Sequence, residues 1–286
     1  MALPQLVLIP GAWHTPEAFS LIIPKLKSHG YTIHTSQLPS VDADPADPPK
    51  DFSKDIAVVR DLVIKAIGNG NDVVVAPHSW AGIVGGSALT GLGKKEREAK
   101  GERGGIVRTA YISAFMAPEG VSLMETVQGT IPDWWYVEVS ICMRVSFVPP
   151  RLCRACEKNT VSRPTRTNRI VLQGIHCICR PSAASIFYSD LPEAQQREWL
   201  TKVKTHVFAT VQAKATAASW KEIPTHYLLC EDDQAIPAFA QEAMTGMVRD
   251  MGGEMEVERI KAGHSPFLSQ PDVVVEWLRR VAGETM

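Results

Sequence analysis

The chain has almost no net charge. Its 286 residues carry 30 lysines and arginines against 31 aspartates and glutamates, a formal balance of −1. That removes the global electrostatic argument for a nucleic-acid partner or an anionic membrane surface. Long hydrophobic runs are missing as well. No stretch approaches the ~18 apolar residues of a membrane span. The opening, MALPQLVLIPGAW, lacks a basic leader and its apolar run stops at Pro10, which does not read as a signal peptide. A soluble, cytoplasmic protein with no membrane and no nucleic acid as partner is the expectation. Neither a G-x-x-x-x-G-K-[ST] phosphate loop nor an HExxH zinc helix occurs, so no cofactor and no metal are expected from motifs. No internal repeat is visible. The apolar share is 45% and the charged share 21%, ordinary globular usage that excludes wholesale disorder.

Cysteine is present, but not as a scaffold. Five of the six (Cys142, Cys153, Cys156, Cys177 and Cys179) fall between residues 138 and 182, and Cys230 stands alone. Bridges that staple a small secreted fold are spread over it. This clustering marks one unusual segment instead.

Short apolar runs alternate with helical spacing along the rest of the chain. Strands are expected near 6–9, 31–38, 73–76, 106–112, 226–230 and 255–260. Helices are expected near 16–29, 52–67, 82–92, 192–204, 206–218, 238–251 and 270–282. The charged stretch 93–105 has mixed signs and reads as a solvated loop or frayed helix end. Such alternation implies an α/β fold, with a mostly parallel sheet covered on both faces. It breaks between about 115 and 220. One domain over 1–286 is expected, with a core of 1–114 and 221–286 and a cap inserted at about 115–220.

The sharpest feature is VVVAPHSWAGIVGG, residues 73–86. A buried strand runs straight into small residues that can start a helix, with Ser79 at the junction. A serine on such a turn is held clear of the backbone, and small residues are needed two before and two after it. The helix N-terminus beyond it offers free N–H groups to a developing oxyanion. Read alone, the serine has a competing, weaker reading as a residue that merely caps the helix.

The segment resembles the nucleophile elbow of the α/β-hydrolase superfamily, in its methylesterase and hydroxynitrile-lyase branch with fungal relatives. It departs from G-x-S-x-G at both glycines, with Pro77 at the first and Ala81 at the second. The resemblance implies a chain order of serine, acid, histidine. His264 in KAGHSPFLSQP resembles the family's histidine loop. In HYLLCEDDQAIP the family's D-x-A-[IL]-P run selects Asp233, with Asp232 the alternative. Pro10-Gly11-Ala12-Trp13-His14 matches the loop after the first strand, so the N–H groups of Ala12 and Trp80 are the implied oxyanion donors. His78 neighbours Ser79, but a strand sends adjacent side chains to opposite faces. Trp13, His14 and the cap aromatics Trp134, Trp135 and Phe187 are the expected substrate-binding residues.

In lyases of this branch a threonine follows the first residue of the oxyanion loop, and a lysine follows the histidine. Here those positions are Gly11 and Ser265. The resemblance therefore implies a serine esterase acting on a small molecule. It would cleave an ester, lactone or thioester through Ser79, His264 and Asp233. A non-hydrolytic or ligand-binding member of the fold, or a lyase or cyclase using His264 as base, is the alternative.

Residues 138–182 do not follow the family. They hold eight basic and two acidic residues besides the five cysteines and read poorly as helix or strand. Three readings are open. Cys153, Cys156, His176, Cys177 and Cys179 could form a zinc site. The segment could be a basic insertion for a partner. The reading we favour is translated non-coding sequence kept in frame, which would pack poorly.

Overall fold

The computed structural model describes residues 2–142 and 171–285. Along the chain the strands are β1 (Gln5–Ile9), β2 (Ile33–Thr35), β3 (Asp72–Ser79), β4 (Gly105–Ala114), β5 (Trp135–Cys142), β6 (Val171–Cys179), β7 (His206–Val207), β8 (Thr225–Cys230) and β9 (Met255–Ile260). Six of them build a sheet in the order β2-β1-β3-β4-β8-β9, and every pairing in it is parallel. Parallel strands buried on both faces read as continuous apolar runs. Val73, Val74, Val75 and Ala76 of β3 are all fully buried. β5, β6 and β7 form a second, antiparallel sheet.

The strand order fixes where a site can lie. The chain steps from β1 out to β2, then returns past β1 to lay down β3. The loops leaving β1 and β3 therefore diverge, and a crevice opens beyond the ends of these two strands. Helices cover the sheet. Ser53–Ile67 packs on Ala81–Ala88, and Ile22–Ser28 packs on Pro271–Val281. The last of these buries Val274, Val275, Trp277, Leu278 and Val281 along one stripe.

Two expectations about secondary structure fail in instructive ways. The helical spacing over 206–218 yields a helix only at Phe208–Gln212. His206 and Val207 instead pair with Cys177 and His176 of β6, and His206 bridges Val41. Strand partners distant in sequence outweigh a local helical preference. The two ends of the unusual segment also form strands. Residues 138–142 belong to β5, and 171–179 to β6, paired antiparallel. The β-branched residues Val137, Val139, Ile141, Val171, Ile175 and Ile178 suit a pleated sheet. Cys153 and Cys156 lie outside the described residues.

One buried carboxylate ties the sheet's helical cover to the chain between β4 and β8. Asp55 is fully buried. Its Oδ1 accepts the Ser40 N–H at 2.9 Å, while Oδ2 has no partner among the described residues. Ser40 in turn accepts the Val207 N–H, and Asp42 donates to Thr205. Desolvation pushes the Asp55 pKa up to about 6. An aspartate in the unfolded chain titrates near ~3.9. Between those values the folded protein holds a proton that the unfolded chain has lost. The group's contribution to stability is complete below about pH 4 and is lost as pH rises through about 6. Asp55→Asn, with no proton to lose, is expected to gain on wild type by about 1–3 kcal/mol between pH 4 and pH 7.5. Urea denaturation of both proteins across that range checks it. A stability difference that does not change with pH would refute the assignment.

Candidate active site

β3 runs unbroken through Pro77 and His78 into Ser79, and the helix Ala81–Ala88 starts two residues later. So sharp a reversal forces Ser79 to φ 55°, the left-handed region that side chains disfavour. The turn is possible because its surroundings are cut away. A Cβ on Gly82 would lie 2.2 Å from the Phe115 carbonyl oxygen, and one on Gly11 2.8 Å from the Ser79 Cβ. The motif places the small residues at positions 77 and 81. In the structure the closest approaches fall on Gly82, one residue further into the helix, and on Gly11 from the β1 loop. The reason is that β4 ends against the first helical turn.

Ser79, His264 and Asp233 are brought together from the ends of three strands. The Ser79 Oγ lies 3.0 Å from His264 Nε2. The His264 Nδ1–H donates to Asp233 Oδ2 at 2.8 Å. Asp233 also accepts on Oδ1 from the N–H groups of Ala235 (2.7 Å) and Ile236 (2.9 Å), a turn that locks its side chain. Asp233 and His264 are 3% and 1% exposed, whereas Asp232 points to solvent. The loops carrying the acid and the histidine are laced together, since Glu231 and Asp232 donate to Ile260 and Ala262. An imidazole whose Nδ1–H is held by a carboxylate presents an unprotonated Nε2 to the serine hydroxyl. Such an arrangement can remove the hydroxyl proton.

His78 is not part of this chain. Its Nε2–H donates to the backbone carbonyl of His264 at 2.9 Å, and its ring lies 4.7 Å from the His264 ring. Burial holds its pKa well below that of a free histidine, so it braces the histidine loop as a neutral ring. The β1 loop turns tightly, with His14 N–H on Gly11 O and Trp13 at φ 62°. The N–H groups of Ala12 and Trp80 have no hydrogen-bond partner among the described residues.

The expected aromatic residues divide. Trp13, Trp134, Trp135 and Phe187 line a cleft with Ser79 in its wall. Trp80, Phe115, Leu123, Met124, Val127 and Ile236 line it too, and among the described residues none of the lining side chains is charged. The Trp13 Nε1–H is anchored on the Cys177 carbonyl at 3.1 Å. His14 is elsewhere. It is buried behind the loop, with Nδ1 bonded to Ala12 O at 2.7 Å and Nε2 to the Tyr188 hydroxyl at 2.8 Å. Desolvation lowers its pKa to about 4. The ring thus links Tyr188 to the carbonyl of Ala12, in the peptide that follows the Ala12 N–H. Neither Tyr188 nor Ser113, which donates to Asp233 Oδ2, is marked by any motif.

Among the described residues no group of three or more histidine, cysteine or acidic side chains is placed to hold a metal ion. Cys177 and Cys179 are free thiols, and burial pushes both away from the thiolate form that would ligate one.

Comparison with known proteins agrees with this architecture. The chain is 29% identical to the alpha/beta hydrolase nvfD of Aspergillus novofumigatus, over all of this chain and 99% of the relative. Its fold is similar to that of polyneuridine aldehyde esterase, with a TM-score of 0.68 at 17% identity over 98% of this chain and all of the other. It is similar also to a pyrethroid hydrolase from Sphingobium faniae JZ-2, with a TM-score of 0.64 at 17% identity over 98% of both. Residues 6–277 match the model of the alpha/beta hydrolase family. With nearly its whole length matched, the chain belongs to the alpha/beta hydrolase family.

Proposed function

We propose that the protein is a serine hydrolase that cleaves a carboxylic ester, lactone or thioester of a neutral, largely apolar small molecule. The observation that carries this is the hydrogen-bonded chain Ser79–His264–Asp233, opening on an uncharged aromatic cleft. Ser79 Oγ attacks the substrate carbonyl while His264 Nε2 takes its proton. The oxyanion that forms is met by the N–H groups of Ala12 and Trp80. His264 returns the proton to the leaving alcohol or thiol, and the acyl group stays on Ser79. Water, activated by the same imidazole, releases the acid. Asp233 holds the imidazole tautomer and the charge that forms on it.

Two further features support hydrolysis over lyase chemistry. No side chain fits at position 11, where a Cβ would also meet the His78 carbonyl at 3.1 Å, so a hydroxyl donor is excluded there. Position 265 holds a buried serine rather than a cation. The cleft in turn sets a preference. An ionised carboxylate entering it loses its hydration and meets no cation among the described lining residues.

The test uses matched p-nitrophenyl esters, one with a neutral aryl acyl group and one bearing a carboxylate on the same ring, in ¹⁸O-labelled water. The neutral ester is expected to be favoured in kcat/KM by about 30-fold or more, from ~2 kcal/mol or more of unpaired-charge burial. One ¹⁸O per turnover is expected in the acid product. Turnover of neither ester, or a product without label, would overturn the reading.

A further inference from the structure

The pairing of β4 with β3 slips by one residue at its end. His78 faces Ile112, but Ser79 faces Ala114, so Ser113 is an extra residue with no partner on β3. A bulge of this kind re-aims a side chain. Ser113 is also fully buried and sits at φ 39°, a conformation that costs a non-glycine residue energy. Its neighbours hold it there. The Tyr227 hydroxyl bridges the N–H and the carbonyl of Ala114, and Phe115 donates to the Ser79 carbonyl. The strained turn delivers the Ser113 hydroxyl to Asp233 Oδ2, the same oxygen that accepts the His264 Nδ1–H. It also brings that hydroxyl within 3.4 Å of His264 Nδ1.

We propose that Ser113 is a positioning residue of the site: its hydroxyl holds Asp233 and shares the carboxylate's charge with His264. The proposal rests on the serine-hydrolase reading above. Gln241 Nε2–H reaches the same oxygen from further off, at 3.4 Å. A carboxylate oxygen that serves several donors directs less negative charge at any one of them. Removing the hydroxyl leaves His264 facing more of the charge of Oδ2, with only the long Gln241 contact still sharing that oxygen, and this favours the imidazolium. The protein then needs a higher pH to free Nε2 as a base.

The other titratable groups around the pair keep their identity when Ser113 changes, although the Cys230 thiol, whose titration burial pushes well above the ordinary range, is itself a hydrogen-bond partner of the Ser113 side chain. They are His78 and His14, both held neutral by burial, Tyr227 and Cys230 behind Asp233, and Asp190, which accepts the Gly263 N–H at 2.7 Å. A change in pH dependence therefore reads the Ser113 hydroxyl.

The experiment measures the rate at which a fluorophosphonate labels Ser79 between pH 5 and pH 9, by intact mass. It compares wild type with Ser113→Ala and Ser113→Gly. Glycine adopts positive φ without strain, so Ser113→Gly deletes the hydroxyl while relieving the backbone strain that Ser113→Ala retains. Both variants are expected to move the acid limb of the profile upward by about half to one pH unit, and to label about 3- to 10-fold more slowly near that limb. Profiles that superimpose on wild type in both variants would overturn the proposal. A shift in Ser113→Ala but not in Ser113→Gly would overturn it as well, assigning the effect to backbone strain. Absence of labelling in folded wild type at every pH would instead overturn the serine-hydrolase reading itself, and this proposal with it.

Discussion

Ser79→Ala is expected to lower kcat/KM for the neutral ester by about 10⁴- to 10⁶-fold, while leaving the stability of the fold nearly unchanged. The oxygen is half-exposed in the cleft wall and 3.0 Å from His264 Nε2, so its loss empties no core. His264→Ala is expected to match that loss. The double variant should fall no further, because a nucleophile and its base act as one unit and their effects do not add. Asp233→Asn should cost less, about 10⁴-fold. An amide at that position offers a donor where the His264 Nδ1–H needs an acceptor, and so favours the wrong tautomer. Asp232→Asn is the internal control. Its side chain is solvent-exposed, and the expected change is within about twofold, the usual scale for an exposed surface substitution. Steady-state kinetics on purified variants decide the matter. Ser79→Ala retaining a tenth of wild-type activity would show that turnover bypasses the serine. A large loss in Asp232→Asn with little in Asp233→Asn would reassign the acid.

What could be read from the sequence was whatever depends on chain order and local pattern. The α/β alternation, the position of Ser79 between strand and helix, and the loops of Asp233 and His264 after their strands are all local facts. The structure adds a parallel sheet in which those strand ends meet. Elements that depend on distant partners were not legible. The helical spacing of 206–218 contains nothing to say that His206 and Val207 are claimed by β6. The expected strand stops at Ile112, and nothing in YISAF marks Ser113, because a bulge is set by the fit of β4 between β3 and β8. His14 is aromatic and lies in the right loop. Nothing along the chain indicates that Tyr188, 174 positions away, occupies its free nitrogen.

Glycine 82 shows how a small residue in a motif acquires its reason from three dimensions, and it carries the second large effect. Gly82 and Gly85 lie in the same buried helix, Ala81–Ala88, and alanine is the better helix former at both by about 1 kcal/mol. Helical preference alone predicts that both substitutions stabilise. Their surroundings differ sharply. At Gly85 the nearest atoms to an added Cβ are Pro77 side-chain carbons at 3.6 Å, an ordinary contact. At Gly82 the Cβ would meet the Phe115 carbonyl oxygen at 2.2 Å, and Ala114 Cβ and Tyr111 Cε1 at 3.1 Å. A backbone oxygen cannot swing aside as a side chain can. Relief requires the end of β4 to move, and that end carries both the Phe115–Ser79 hydrogen bond and the Ser113 hydroxyl on Asp233. Gly85→Ala is therefore expected to be neutral or up to about 1 kcal/mol more stable than wild type, with labelling of Ser79 unchanged. Gly82→Ala is expected to lose about 3 kcal/mol or more, and to slow labelling at least ~100-fold in the protein that remains folded, since an ångström of misplacement at the reacting groups has a cost of that order. Urea denaturation and fluorophosphonate labelling measure the two effects separately. If Gly82→Ala proved as stable and as reactive as Gly85→Ala, the close approach of β4 to the elbow would not be what holds Ser79 in place.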